Sequence, residues 1–174
     1  MTSPGTMHDV RSKGLSPRAE KAIFAAVNTD RGSNSLDYLN ARLDCKVSAK
    51  DVGGDYCIYD TVRTAPGGPP LHIHHDQDEW FFVGEGEFIF QVGDERFRLT
   101  AGDSILGPRK APHAFANVSE TGRLLILYQP AGTIEQFFLD SRNLSKSSSP
   151  TIDAWQAIAR RHRIEIVGPP LKLE

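Results

Sequence analysis

Hydrophobic and polar residues alternate along much of the chain between Ala41 and Pro130. Alternation places successive side chains on opposite faces of a strand, so this pattern predicts half-buried β-strands. Strands are predicted in "ARLDCKVS", "DYCIYDTVR" and "GRLLILYQP", and "EWFFVGEGEFIFQVGDERFRLT" is predicted to hold three, divided by tight turns at "GEG" and "GDE". About eight short strands separated by Gly and Pro favour an all-β sandwich or barrel.

The flanks of this region have a different character. We divide the chain into an N-terminal arm at residues 1–40, a β-barrel at residues 41–132, and a C-terminal helical extension and tail at residues 133–174. In the arm, Ser16 and Pro17 suit the start of a helix, whereas "AIFAAV" is equally compatible with a strand.

Two short helices are predicted in the C-terminal extension. Thr133 and Gln136 have capping-box spacing at the start of "TIEQFFLD". One helical stripe of "TIDAWQAIARRH" holds Ile152, Trp155, Ile158 and Ala159. The alternating "RIEIV" suits an added strand at a sheet edge. We expect this extension to cover the barrel mouth or a dimer partner.

Composition limits the classes of partner. The chain has 174 residues and a formal net charge of −2, which suits one domain and gives no electrostatic signature for nucleic acid or an anionic membrane. No secretory signal and no apolar run of membrane-spanning length is seen. The sequence therefore predicts a cytoplasmic protein with a small-molecule partner, without nucleic acid or membrane as partners.

The two cysteines, Cys45 and Cys57, are too few for a disulfide scaffold. They flank "SAKDVGGD", a plausible hairpin turn, so neighbouring strands would carry them. Reduced, buried thiols are favoured, and a cross-strand disulfide or a redox role is the alternative.

Half of the six histidines lie in the stretch "GGPPLHIHHDQDEWFF". In a strand, His72 and His74 project to one face and His75 to the other. Glu79 follows five residues after His74, and a turn through "HDQD" would bring it beside the two histidines from the neighbouring strand. His113 offers a third imidazole farther along the chain.

Three imidazoles and one carboxylate form a ligand set for one divalent transition metal, with positions left for water or substrate. A single H-x-H occurs often by chance, and a lone strand histidine is usually structural. The order of H-x-H, Glu and a distant His in a histidine-poor chain favours a metal site at His72, His74, Glu79 and His113. Fe, Ni, Mn, Co and Zn are all compatible with these ligands.

Two stretches carry a family resemblance. His72-x-His74-x4-Glu79-x6-Gly86 resembles the first motif of the cupins, and Gly102-x5-Pro108-x-Lys110-x2-His113-x3-Asn117 resembles the second. There are two departures, since Pro66 and Lys110 stand where the family pattern has glycine. Neither position supplies a metal ligand, so the departures concern local turn geometry.

The resemblance implies a double-stranded β-helix, the cupin jelly-roll barrel, with short C-terminal helices added here. It also implies that His72, His74, Glu79 and His113 are the metal ligands and that Asn117 is structural. "PPLHIHHDQDEWFFVGEGEFIFQVGDE" and the closing "VGPPL" are most similar to the small quercetinase-like cupins.

Alternation carries Phe81 onto the face of Glu79 and Phe115 onto that of His113. These rings would form an apolar wall for a flat or aromatic substrate, or else fill the core of a small barrel.

The resemblance to quercetin 2,3-dioxygenase implies a dioxygenase acting on an enolic or aromatic molecule, with Glu79 as catalytic base. A non-redox isomerase, cyclase or hydrolase, and a binding protein without turnover, are the alternatives. A homodimer is expected.

Overall fold

The structure is a computed structural model that describes residues 18–32, 35–147 and 149–173. The strands in chain order are β1 (Leu36–Tyr38), β2 (Ala41–Val47), β3 (Cys57–Arg63), β4 (Pro70–His74), β5 (Asp78–Glu85), β6 (Glu87–Val92), β7 (Glu95–Thr100), β8 (Ser104–Gly107), β9 (His113–Asn117), β10 (Gly122–Gln129) and β11 (Ile164–Pro170). The helices are α1 (Ile134–Ser145) and α2 (Ile152–Arg161). Neither helix of the described chain combines the length and the hydropathy needed to cross a bilayer.

The strands form two antiparallel sheets. One has six strands in the order β1-β2-β3-β10-β5-β8, and the other has five in the order β11-β4-β9-β6-β7. Neighbours within each sheet are often far apart in sequence, as β10 pairs with β3 and with β5. This crossover topology confirms the predicted all-β jelly-roll barrel with short C-terminal helices.

Alternation along the strands places one set of side chains between the sheets. On β3, Cys57 and Tyr59 are buried and Ile58 is only partly buried, which is the alternation of a half-buried strand. On β5, Phe81 is buried and Trp80 is exposed. The apolar faces of the two sheets therefore meet in one core, because burying both faces removes them from water.

Two positions show the turn geometry at or near the departures from the cupin pattern, Pro66 and Lys110. At Gly68, an added Cβ would lie 1.7 Å from the backbone oxygen of Phe115, so only glycine fits where this segment passes β9. Lys110 has a φ of 68°, the left-handed conformation that glycine adopts without strain. Its backbone nitrogen donates to the His74 oxygen at 2.8 Å. The turn therefore keeps the glycine-type geometry although a lysine occupies it.

The C-terminal extension packs against one end of the barrel. The ring of Tyr38 on β1 lies 5.5 Å from Phe138 and 6.4 Å from Trp155, measured between ring centroids. The "RIEIV" segment forms most of β11, which pairs with β4 at the edge of the five-stranded sheet. The predicted strand addition is thus confirmed, and the helices cover the barrel mouth.

Two details of the predicted helices differ from the structure. Thr133 is the N-cap of α1, but its hydroxyl contacts Nδ1 of His162 at 3.0 Å rather than the helix backbone. The capping-box prediction was therefore wrong, although the helix begins where it was expected. Ile152 is 63% exposed, so the buried stripe of α2 is narrower than predicted and is centred on Ala159.

The N-terminal arm is irregular at residues 19–32, but its last part forms β1, which pairs with β2 in the six-stranded sheet. "AIFAAV" forms neither a helix nor a strand, and the predicted helix start at Ser16 and Pro17 lies outside the described residues. The backbone nitrogen of Ala19 donates to the oxygen of Asp51 at 2.8 Å. This contact anchors the arm to the barrel.

Cys45 and Cys57 are buried free thiols on the neighbouring strands β2 and β3. The prediction of reduced, buried thiols is therefore confirmed.

Candidate metal centre

Four potential metal ligands meet inside the barrel. His72 and His74 lie on β4 and His113 on β9, so all three belong to the five-stranded sheet, where His72 pairs directly with His113. Glu79 lies on β5 of the opposite sheet. One ligand atom from each of the four lies within 4.8 Å of the others. The predicted convergence is present, but Glu79 reaches the histidines across the barrel and not from a neighbouring strand.

The carboxylate of Glu79 is the centre of this cluster. Its Oε2 lies 2.9 Å from Nε2 of His113, 3.3 Å from Nε2 of His74 and 3.8 Å from Nε2 of His72. Glu79, His74 and His113 are almost completely buried. All three imidazoles therefore present the same ring nitrogen to one carboxylate oxygen.

Backbone carbonyls orient two of the imidazoles. Nδ1 of His72 lies 2.8 Å from the oxygen of Pro70, and Nδ1 of His113 lies 2.9 Å from the oxygen of Ala111. A carbonyl oxygen can only accept, so each Nδ1 carries the hydrogen and donates it. In the neutral rings, both Nε2 atoms then have a free lone pair directed to the centre.

A glutamine orients the third imidazole in the same way. The side-chain nitrogen of Gln77 donates to the oxygens of Pro130 at 3.1 Å and Ala131 at 2.6 Å. This fixes Oε1 of Gln77 as the acceptor facing Nδ1 of His74, at 3.2 Å. His74 therefore also donates from Nδ1 and leaves Nε2 free for a ligand.

The charges of the cluster suit a cation. Burial alone would raise the pKa of Glu79. Without a metal, protons on the Nε2 side of His113, His72 and His74 form hydrogen bonds to the carboxylate, and these outweigh burial and hold the pKa well below its ordinary value. A bound cation would take the place of those protons. Burial lowers the pKa of His72 and favours its neutral form. Three nitrogen lone pairs and one carboxylate repel one another unless positive charge lies between them. The residues fit a divalent transition metal, and they could hold one.

An apolar cavity opens from this cluster toward the C-terminal helices. Its lining includes Phe115, Ile126, Tyr128, Phe137, Phe138, Trp155 and Ile166, together with His72, His74 and Glu79. Of the two predicted pocket residues, Phe115 lies at the cavity. Phe81 lies behind it in the core, with ring centroids 5.5 Å apart. One aromatic wall thus faces the ligands, as expected for a site that binds an apolar molecule.

Sequence reasoning missed three residues near the cluster. Gln77 orients His74, and its position between His74 and Glu79 was the available signal. Arg63 and Tyr38 line the cavity from β3 and β1, and no spacing motif connects them to the histidines.

Two further predictions hold. His75 faces away from the cluster and contacts Glu165 at 3.1 Å. Asn117 is fully buried, and its side-chain nitrogen donates to the oxygens of Ala65 at 3.1 Å and Ser119 at 2.8 Å. It ties together two loops of the barrel, which is a structural role.

The fold and the cluster define a class, namely jelly-roll barrels with a candidate metal centre inside. The cupin domain family matches residues 61–128, a range that contains all four potential ligands. The chain belongs to the cupin superfamily.

Relatives extend the comparison. The probable oxidoreductase virH of Hypocrea virens is 28% identical over 109 residues, which cover 58% of this chain and 47% of virH. The uncharacterized protein YdbB of Bacillus subtilis is 35% identical over 81 residues, covering 46% of this chain and 70% of YdbB. The chain thus spans less than half the length of virH. KdgF from Halomonas has a TM-score of 0.51 and 16% identity, covering 62% of this chain and 94% of KdgF, which shows a shared fold.

Proposed function

We propose that this cupin is a metal-dependent oxygenase, resembling quercetin 2,3-dioxygenase, that acts on a small enolic or aromatic substrate. One observation carries the proposal, namely that three imidazole nitrogens and a carboxylate converge at the inner end of an apolar cavity. Similarity to virH, which is named a probable oxidoreductase, supports redox chemistry over other uses of the same ligands.

His72, His74 and His113 would hold the metal through their Nε2 atoms, with Glu79 as the fourth ligand. When bound, a redox-active ion such as iron, nickel, manganese or cobalt would supply an electrophile for a substrate oxygen and a template for dioxygen. The hydrogen bonds at the Nδ1 atoms keep the three rings in one tautomer and one orientation.

Glu79 has a second role in this proposal. Once it leaves or loosens from the metal, its carboxylate would accept the proton of the substrate's enolic hydroxyl, so that the substrate binds as an anion. Tyr128 lies beside it as the cross-strand partner on β10. Phe115, Phe137 and Phe138 exclude water from the reacting groups and stack against a flat substrate.

The experiment begins with metal analysis of untagged protein. The protein is then stripped, reloaded separately with iron, nickel, manganese, cobalt or zinc, and tested for oxygen uptake with flavonols and with smaller enols. We expect uptake with at least one redox-active metal and none with zinc. Fully loaded protein that consumes no oxygen with any of these substrates would contradict the proposal. Substrate turnover by the zinc form, insensitive to oxygen, would instead indicate a non-redox enzyme.

Matched histidine variants locate the activity. His113→Ala removes a buried candidate ligand, whereas His75→Ala removes a histidine that directly follows β4 and faces away from the cluster. We expect the first variant to lose metal and oxygen uptake together and the second to keep both. Equal effects of the two substitutions would contradict the assigned site.

A further inference from the structure

Arg63 is a buried cation at the inner face of the barrel. It ends β3 and is only 4% exposed. Its Nη1 donates to the backbone oxygen of Leu39 at 3.0 Å, and its Nε has no hydrogen-bond partner among the described residues. The guanidinium carbon lies 5.3 Å from the centre of the Phe115 ring. The Nε–H of the guanidinium is therefore left without an acceptor in the described part of the chain.

Two other partly buried arginines are paired with carboxylates. Arg123 forms two hydrogen bonds with Asp60, at 2.8 and 2.6 Å, and Arg31 contacts Asp51 at 2.8 Å. For Arg63, no carboxylate of the described chain forms an ion pair, and burial lowers its pKa to about 10. The side chain is still protonated at neutral pH. An unpaired buried charge is costly, so it calls for a partner that the chain itself does not supply.

The cavity supplies the place for such a partner. Arg63 and Thr61 both point inward from β3 and line the cavity that His72, His74 and Glu79 also line. Tyr38 lines the same cavity. Burial is the main cause that raises its pKa, the positive charge of Arg63 lowers it, and the negative charge of Glu79 raises it, so Tyr38 lies within electrostatic range of both groups. A single small molecule in the cavity can therefore reach the guanidinium and the metal ligands together.

We propose that Arg63 binds a carboxylate of the substrate, so that the substrates are organic acids that also carry the enolic or phenolic oxygen. This inference rests on the proposed function for the oxygen that faces the metal ligands. Nη1 donates to Leu39 and Nε has no partner among the residues that the structure describes, so the guanidinium keeps donor capacity that matches the oxygens of a carboxylate. A carboxylate is favoured over a phosphate because the rest of the lining is largely apolar, and one guanidinium neutralises one negative charge.

Binding of simple probes tests this inference without turnover. Benzoate, neutral benzamide and phenyl phosphate are titrated calorimetrically into the metal-free protein and the zinc-loaded protein. We expect benzoate to bind at least about tenfold more tightly than benzamide, since hydrogen bonds to charged groups have that magnitude. Arg63→Gln should remove this preference, and Arg63→Lys should restore part of it. Arg96→Gln, at an exposed position on β7, is the matched control and should bind benzoate as the unaltered protein does.

A spectroscopic measurement covers the case in which Arg63→Gln does not fold. In protein labelled with ¹⁵N-arginine, the Nε–H signal of Arg63 is assigned by its loss in Arg63→Lys. It should shift on addition of benzoate and stay in place with benzamide.

Three outcomes would overturn the inference. These are equal affinity for benzoate and benzamide, unchanged benzoate binding in a folded Arg63→Gln variant, and tighter Arg63-dependent binding of phenyl phosphate. Failure of metal loading or of oxygen uptake would instead count against the proposed function, because the metal-free titration reports on Arg63 alone.

Discussion

Tyr128 and Glu79 are direct cross-strand partners on β10 and β5, and both side chains are buried between the sheets. Burial, and after it the negative charge of Glu79, raise the pKa of Tyr128 well above its ordinary value. The phenol therefore keeps its proton and can donate to the carboxylate. The carboxylate of Glu79 thus has a neutral phenol as a hydrogen-bond donor in addition to the three imidazoles.

Tyr128→Phe tests whether this partner assists the proposed chemistry. The hydroxyl is not one of the clustered metal ligands, so metal affinity should stay nearly unchanged. Oxygen uptake should fall by about tenfold, the scale of one lost hydrogen bond to a charged group. Metal titration and an oxygen electrode give the two readings. Tyr56→Phe, just before β3, is the control, and equal activity in both variants would exclude the role.

Gln77→Leu should weaken metal binding without removing a ligand. The leucine cannot accept from Nδ1 of His74, so the ring loses its fixed tautomer and orientation. Loss of such a partner lowers metal affinity by about 10- to 100-fold. Competition with a chromophoric chelator measures the change. Gln91→Leu, on β6, is the control, because Gln91 contacts the backbone oxygen of Gly93 instead. Unchanged affinity in Gln77→Leu would show that backbone packing alone orients His74.

Lys110→Gly should stabilise the protein. The lysine is held at a φ of 68°, and glycine relieves that strain while losing some stability through its freer unfolded chain. The free energy of unfolding should rise by about 0.5 to 1 kcal/mol, the difference of the two effects. Urea denaturation of the variant measures it. Lys110→Ala removes the ammonium group but keeps the Cβ, and should show no gain. Equal gains in both variants would assign the effect to charge.

The cysteines should react slowly with thiol reagents in the folded protein. Burial is the main cause that raises the pKa of Cys45 to about 12, and it raises the pKa of Cys57 further. A raised pKa favours the protonated form, so this contribution to stability is complete below the ordinary thiol pKa, about 8.5, and is lost as the pH rises toward the folded-state value. Labelling at pH 8 should follow unfolding, with both thiols reacting at once in denaturant. Rapid labelling of the native protein would contradict this.

The sequence was informative where chemistry follows local spacing. His72 and His74 are two residues apart on one strand, so their shared direction follows from strand geometry alone. Glu79 was correctly predicted to join the cluster. The predicted position on a strand next to β4 was wrong, because sequence spacing does not show that β4 and β5 belong to opposite sheets. The same holds for Phe81. Alternation along β5 predicts which face of the sheet carries this ring, but it does not predict that the ring packs behind Phe115 in the core and not at the cavity.

Other features depend on contacts between distant segments. Arg63 ends a strand in "TVRT", where an arginine is normally solvated, and its burial results from the packing of β1, β9 and the C-terminal helices around the cavity. Thr133 has the spacing of a capping box, yet His162 engages its hydroxyl from 29 residues away. The homodimer and the cytoplasmic location stay predictions.

The strand that carries His72 and His74 has both of its neighbours, β9 and β11, later in the chain. During synthesis this strand therefore emerges before the segments that flank it, because Ile164 and Ile166, which pair with it, come about 90 residues after His74. Until β9 and β11 are present, His72 and His74 lie on a strand that lacks its hydrogen-bonded neighbours. The direction of their imidazoles toward one point therefore depends on segments that are made later.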